Sequence, residues 1–495
     1  MKQILVCAVL FLLLLSSSSV KDLVQSYQFN HENVLGTSFE LKVYAASEAL
    51  ADNAEVVALD EIDRLDNILS TYKPASEVNC WQKSYMTEVK VSEELLEVFA
   101  QFDLWRDKTA GALNPSVAVA INIWNAAAKA QQMPANEQLI DAVKRIQQPQ
   151  WLLNEIAGTA VHLSRDPVVL SSFVKSYVLK KVAEKIMKTP GITGAVVNIG
   201  GDIIVTGDCN EVIRLSNPHS GSENDFAGAA ILLREKSVAT SGDYKRGFKI
   251  GSQVFSHILD ARTALPVTTI ASATVVAQNA VTAGALATAF NILTPEESTL
   301  LASRFPGIEF RIITKTGTSV ESNGWESLIT QSKSSAKNQS MVGRKNKIEA
   351  TIELELAKFE GRFRRPFVAI WIENKKKDPV RTIAVWFNKP RWLPDLKKWF
   401  SKNQEFRQDQ STLSSVTSAT RSPGKYTLTW DGTDQNGEVV PSGKYTIYIE
   451  AAREHGTYQL LKQEIDWNGK PGHFTLEAGT EITSASIDLH QVTAN

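Results

Sequence analysis

Cysteine is scarce in this chain: three residues in 495, Cys7, Cys80 and Cys209. Two of them, Cys80 and Cys209, could pair in an oxidising compartment, but two residues do not make a disulfide framework. There is no C-x-x-C and no Cys/His cluster, so no zinc or iron–sulfur motif is present. Neither sign of charge is in excess. Lys+Arg number 53 and Asp+Glu 54, a net charge of -1. That balance gives no reason to expect a nucleic acid as partner. A G-x-G-x-x-G signature is missing, and with it the dinucleotide-binding βαβ unit. Long apolar runs are missing too, except at residues 4–15. That run is too short to span a bilayer comfortably, follows a single Lys2 and is followed by small Ser residues. It has the proportions of a secretory signal over residues 1–20, cleaved near Ser18 to Val20, with a short membrane anchor as the alternative. Cys7 sits inside the apolar core and leaves with it.

What remains is ordinary globular material, 43% hydrophobic and 22% charged, long enough for two or three domains. Residues 39–45 (FELKVYA) read as a strand. Residues 47–69 carry Val56, Leu59, Ile62 and Leu65 at helical spacing. Residues 93–106 and 139–146 read as helices, and Leu170, Phe173, Tyr177, Val178, Val182 and Ile186 make one helix face after Pro167. Residues 195–207 are a strand turning at Gly200-Gly201, residues 273–278 a strand, and residues 281–293 a helix of small residues. This predicts an α+β domain over 26–330. Residues 331–347 (QSKSSAKNQSMVGRKNK) are polar and basic, a linker. Beyond them strand-like runs alternate with turn clusters such as DGTDQNGEVVPSG, which predicts an all-β sandwich of immunoglobulin-like type over 348–495. Residues 392–400 (WLPDLKKWF) are a short amphipathic insertion. Arg453, Glu454 and His455 form a polar cluster at a strand end, read as turn structure or a partner contact.

Four segments of the first domain combine glycine and polar residues beyond what a core needs. STYKPASE (70–77) holds Tyr72, able to stack on a flat ring or to cover a core edge. GALNP (111–115) holds Asn114, suited to a base or ribose, or to a helix cap. NIGGD (198–202) permits close backbone approach at its double glycine, for a ligand or for packing. Residues 238–267 bring His257, Asp243, Asp260, Arg246 and Arg262 into one hairpin-sized region, which could supply acid–base and phosphate-binding groups or be a solvated hairpin.

In order and spacing these segments resemble the ApbE family of FAD:protein FMN transferases across about 300 residues. The stretches that carry the resemblance are Gly36-Thr37, STYKPASE, GALNP, Lys175-Ser176-Tyr177, NIGGD, TSGDY, HILDART and AGALAT. The resemblance implies an FAD- and Mg²⁺-binding enzyme that transfers FMN to a Thr or Ser of a target redox protein of a membrane or periplasmic electron-transfer system, releasing AMP. It implies His257 as the base, Leu35, Tyr72, Ala112, Leu113, Asn114, Lys175, Asp243 and Ile258 as FAD contacts, and Ser172 and Thr288 as metal contacts. The second domain is similar to an uncharacterised periplasmic family.

Several positions depart from the family pattern. Gly284 stands for the metal-binding acid of A-D-A-x-x-T, Ser176 for the glycine of K-G-Y, and Lys180 for an acid. Asn114 stands for Asp, Ala261 for Pro, Ala264 for Gly, and Val169 for a ligand-facing acid. The expectation is a retained flavin pocket whose metal-dependent step is weakened, with phosphate charge met by Lys175, Lys180 or Arg262. A flavin carrier and an FAD pyrophosphatase are the alternatives. On this reading, Gly284→Asp should strengthen Mg²⁺ dependence.

Overall fold

The computed structural model of the chain describes residues 24–242, 247–330, 347–359, 364–404 and 417–492. The expected signal segment (1–20), Asp243, Arg246 and residues 331–346 of the expected linker lie outside them. Strands β1 (Gln25–Val34), β2 (Thr37–Ala45), β3 (Ile192–Ile199), β4 (Asp202–Gly207), β5 (Lys236–Gly242), β6 (Ile270–Ala277), β7 (Glu309–Thr314) and β8 (Ser319–Glu321) form one sheet in that spatial order. Every neighbouring pair is antiparallel. Along β3, Ala195, Val197 and Ile199 enter the main core and Val196 enters a second one behind the sheet, the period-two alternation of a strand. A three-stranded sheet (Glu211–Ser216, Phe226–Leu233 and Ile329–Thr330) and Trp325 cover that rear face. Strand β6 is therefore buried along its whole length.

The helices fall between the strands in sequence: α1 (Glu48–Leu69), α2 (Glu93–Lys108), α3 (Ala118–Ala130), α4 (Asn136–Ile146), α5 (Val174–Met187), α6 (Ala280–Ile292) and α7 (Pro295–Ala302). Helices α1, α2, α5 and α6 share the main core with the front of the sheet. Helix α6 is buried nearly all round, and its Ala and Gly residues let it lie close against both the sheet and α5. Helices α3 and α4 build a smaller core with the Gly247–Ile250 and Gln253–Ser256 hairpin and with Leu259, Ala261 and Ala264. Among the described residues no helix is long and apolar enough to cross a membrane.

Two readings of the helices are corrected. The helix after Pro167 begins at Val174, and Leu170 and Phe173 are buried in the approach to it. On α1 Val56 points outward at 53% exposure, while Glu55 and Glu61 are buried with Ala51, Ala54 and Ala58. The double glycine is the tight turn between β3 and β4, with φ of +61° and +99°. A side chain at Gly200 would meet Thr37, its Cβ 2.8 Å from Cγ2, so packing of the β1–β2 turn is one use of that glycine.

The C-terminal strands are β9 (Lys347–Leu356), β10 (Phe367–Asn374), β11 (Pro379–Trp386), β12 (Thr417–Ser418), β13 (Gly424–Trp430), β14 (Gly443–Ala452), β15 (Tyr458–Trp467), β16 (Gly472–Leu476) and β17 (Ile482–Val492). They form two sheets, β13-β9-β17-β16 and β12-β11-β10-β14-β15. One core takes Ile352 and Ile487 from the first sheet and Ile370 and Ile447 from the second, which makes a sandwich. The amphipathic insertion covers the outer face of the larger sheet, with Leu393, Leu396 and Trp399 on Phe367, Trp371 and Tyr448. Arg453 pairs with Glu481 at 3.1 Å, and His455 is exposed with φ +54° in the turn before β15.

The two bodies are joined by specific contacts. Buried Asn30 on β1 donates from its backbone to Asn388 O (2.8 Å) and from Nδ2 to Phe387 O (3.1 Å). Glu55 accepts from Lys389 Nζ at 2.7 Å and bonds His31 Nε2 at 2.8 Å. Residues 223–224 lie along edge strand β13, with Glu223 N on Thr427 O and Asn224 on both backbone groups of Thr429, all at 2.8 Å. These bonds satisfy part of a strand edge that would otherwise be open to other chains.

Candidate active site

The expected site residues sit on loops where the main core meets the smaller α3–α4 core. Thr109 ends α2 and anchors the first loop. Its hydroxyl donates to Trp105 O (2.7 Å) and accepts from Leu113 N (3.0 Å). Ala110 and Gly111 turn with φ of +50° and +86°. Ala112 and Leu113 are buried in the main core. Asn114 is buried and its side chain spans both cores, accepting from Ser116 N (3.0 Å) and donating to Ile146 O (2.9 Å). Of the two uses open to it, the cap is the one observed here.

The next loop, before α5, is tied to the first by Val169 N donating to Pro115 O at 2.9 Å. It ends at Ser172, whose carbonyl accepts from Thr288 Oγ1 of α6 at 2.7 Å. The structure thus places the two expected metal contacts against each other. Lys175, half-buried, lies in the first turn of α5.

The third loop follows the 247–256 hairpin. His257 and Ile258 are half-buried at its start, with Ile258 N on Ser256 Oγ and Ile258 O accepting from Val267 N. Asp260 then takes the Arg262 guanidinium on both oxygens (2.8–3.0 Å), and Arg262 also reaches Glu297 at 3.1 Å. Arg262 is committed to these acids, which raise its pKa, and is poorly placed to serve phosphate. Ala264 adopts φ +60° and is held by Trp124 Nε1 on its carbonyl at 2.9 Å. A side chain on Gly111 would stand 3.9 Å from Arg262 Cγ, so the first and third loops touch. Asn291 of α6 donates to Ser241 O at 3.0 Å, which brings the end of β5 to the same helix.

Three expected contacts lie further out. Leu35 occupies the β1–β2 turn with φ +51°, half-buried against the main core. Tyr72 is 86% exposed on a loop braced by Asn79 Nδ2, which donates to Ser70 O and Lys73 O. Asp243 is outside the described residues. Of two clefts on this body, the one of about 650 Å³ is lined by Lys180, expected to meet phosphate charge, with Lys188, Thr206 and Asn279, and the one of about 440 Å³ runs along α3 and α4; neither is lined by the expected flavin or metal contacts.

Sequence reasoning noted Ser176 and Gly284 separately and did not see that they face each other. A Cβ on Gly284 would overlap the Ser176 hydroxyl and stand 2.9 Å from Ser176 Cβ. The Ser176 hydroxyl donates to Asp202 Oδ2 at 2.5 Å. Burial pushes the Asp202 carboxyl up to about 6, against the pull of that hydrogen bond and of the Lys175 charge. The available signal was size: two adjacent helices each carry an unusual small residue at this level.

A mixed sheet-and-helix body with a loop-built polar site, followed by a β-sandwich, defines the class of the molecule. The chain belongs to the ApbE family, whose model matches residues 35–312, more than half of the chain. Residues 347–484 match the family described as "Predicted periplasmic protein (DUF2271)". The FAD:protein FMN transferase of Haemophilus influenzae is 27% identical over 288 residues, 54% of this chain and 82% of its own length. That of Treponema pallidum is 25% identical over 303 residues, 56% of this chain and 82% of its own. The crystal structure of the ApbE protein from Thermotoga maritima shares the fold with a TM-score of 0.55 at 23% identity, covering 62% of this chain and 100% of that one.

Proposed function

We propose that the domain of residues 26–330 transfers FMN from FAD to a Ser or Thr of a target protein. The observation that carries this is the convergence of the family's motif loops, with Thr288 on the Ser172 carbonyl and the 111–115 loop against both Val169 and Arg262. The relatives' names give the reaction. In it the target hydroxyl oxygen attacks the FMN-side phosphorus, and the P–O bond to AMP breaks. AMP leaves with the bonding electrons, and the hydroxyl proton passes to His257 as general base. Lys175 sets a positive charge in the first turn of α5 for the diphosphate. Leu35, Ala112, Leu113 and Ile258 offer apolar contact to the flavin nucleotide, and exposed Tyr72 a face on which to stack.

Mg²⁺ favours a near-octahedral set of oxygens with one or two carboxylates. This site offers the Thr288 hydroxyl and the Ser172 carbonyl, both neutral, and Gly284 supplies nothing. Among the described residues no three His, Cys, Asp or Glu side chains group to hold a metal. The residues do not fit a resident Mg²⁺, and no step above runs through one.

The apolar leader at 4–15 and the description of the family matched by residues 347–484 support export to the periplasm, where the target would be a redox protein of an electron-transfer system. The test is to incubate the purified chain with FAD and a Thr-containing peptide from such a protein and weigh the peptide. A gain of one FMN is expected. FMN and AMP free in solution, or bound FAD with no product, would replace transfer by hydrolysis or by flavin carriage.

A further inference from the structure

We infer that the side-chain volume at position 284 is closed by the Ser176–Asp202 pair, and that the flavin-nucleotide site beside it works without a resident divalent cation. The second half rests on the function proposed above; the first half does not.

Gly284 sits in the interior of α6, where glycine costs roughly 1 kcal/mol relative to alanine. Its φ is not in the left-handed region, so the backbone does not require it. The neighbouring helix does. Ser176 Oγ occupies the place of a Cβ at 284, and Phe173 Cβ would stand 3.6 Å away. Residues 176 and 284 share one volume, and only one of them can carry a side chain.

Ser176 is held in that volume. Its hydroxyl is bonded to Asp202, which is fixed at the start of β4 by the Gly200-Gly201 turn. Moving Ser176 aside to admit a residue at 284 would break that bond and leave a largely enclosed carboxyl without its donor, a cost of about 1–3 kcal/mol. One helical turn away, Thr288 and Ser172 satisfy each other. The oxygens at this end of the α5–α6 pair therefore bond among themselves, and Asp202 is committed to Ser176, the residue that faces Gly284. Lys175, adjacent in sequence to Ser176, supplies the positive charge that acts on this group, as its pull on Asp202 shows. Among the described residues a cation-free diphosphate would meet a lysine here, with Asp202 bonded to Ser176 and Asp260 to Arg262. The geometry bears on the expectation from sequence that Gly284→Asp should strengthen Mg²⁺ dependence: alone, the new side chain collides with Ser176.

The test compares the full-length wild-type chain, Gly284→Asp and the double variant Ser176→Gly/Gly284→Asp. Mn²⁺ binding is followed by electron paramagnetic resonance and FAD binding by flavin fluorescence, with and without EDTA. The double variant should bind Mn²⁺ at least about tenfold more tightly than wild type. Gly284→Asp alone should melt well below wild type. Wild-type FAD affinity should be unchanged by EDTA. One Mn²⁺ held per wild-type chain at micromolar concentration, FAD binding abolished by EDTA, or a folded double variant with no gain in Mn²⁺ affinity would each overturn the inference. If the double variant does not fold, the wild-type arms decide alone. If FAD fails to bind under any condition, the proposed function falls while the Mn²⁺ arm still judges the closure at 284.

Discussion

Asp202 carries a carboxyl at this site that burial shifts upward. Its carboxyl titrates near 6 when folded, against an ordinary value of 3.8. Between those values the folded chain holds a proton that the unfolded chain has released. Stability from this group is thus fully present below pH 3.8 and is lost as pH rises through about 6. Asp202→Asn keeps an acceptor for Ser176 and removes the titration. The melting temperature of wild type minus that of Asp202→Asn should fall between pH 4 and pH 7, measured by calorimetry across that range; a flat difference would contradict the burial of this carboxyl. His257 carries a different expectation, because its proposed work is on the reacting hydroxyl. His257→Gln should lower the transfer rate by a factor of about 10²–10⁴ with FAD affinity little changed, as separate kinetic and fluorescence titrations would show. Equal losses in both would make His257 a binding residue only.

The elements were legible in sequence wherever one period ruled. The strand turning at Gly200-Gly201 and the small-residue helix α6 were read within a few residues of where they lie. Helix α1 was harder. Ile62 and Leu65 lie on its buried face as the spacing predicts, but Val56 does not, and the rest of that face is three alanines, two glutamates and Leu69. Burial alone would raise the Glu55 carboxyl, but hydrogen bonds from His31 and Lys389 outweigh it and hold it below its ordinary value. No local period can reveal a partner more than 300 residues away. The start of α5 was misread for a related reason: Leu170 and Phe173 are buried like helix residues but lie in a loop. The hairpin end at Gly207 gives a test at this scale. It has φ +79°, and a Cβ there would stand 2.7 Å from both Gly194 Cα and Met187 Cε, with Thr193 O closer still. Gly207→Ala should therefore destabilise the first domain by at least about 2 kcal/mol, read from urea unfolding. A loss under 0.5 kcal/mol, the scale of ordinary surface substitutions, would show that the β3–β4 hairpin relaxes freely.

At the scale of the whole molecule the motif loops were legible in sequence and the union of its two bodies was not. The contacts that join them are scattered along the chain: Asn30 bonds two successive main-chain oxygens, Asn224 bonds the Thr429 backbone on the β13 edge, and Lys389 pairs with Glu55. Such contacts leave no pattern in residue type. They also place the sandwich against β1, the strand that leads into the turn carrying Leu35. Asn30 is the best single probe of this junction because it is wholly buried and its side-chain amide has one partner across it, at 3.1 Å. Asn30→Ala leaves the Phe387 carbonyl buried without that donor, at a cost of about 1–3 kcal/mol. The backbone bond to Asn388 does not depend on the side chain, so the fold of each body should survive. The loss should therefore appear as weaker coupling between them. In calorimetry the variant should show two transitions further apart than in wild type, and limited proteolysis should separate the two bodies sooner. If the variant instead melts in one transition shifted as a whole, the two bodies unfold as a single cooperative unit and Asn30 is core rather than junction.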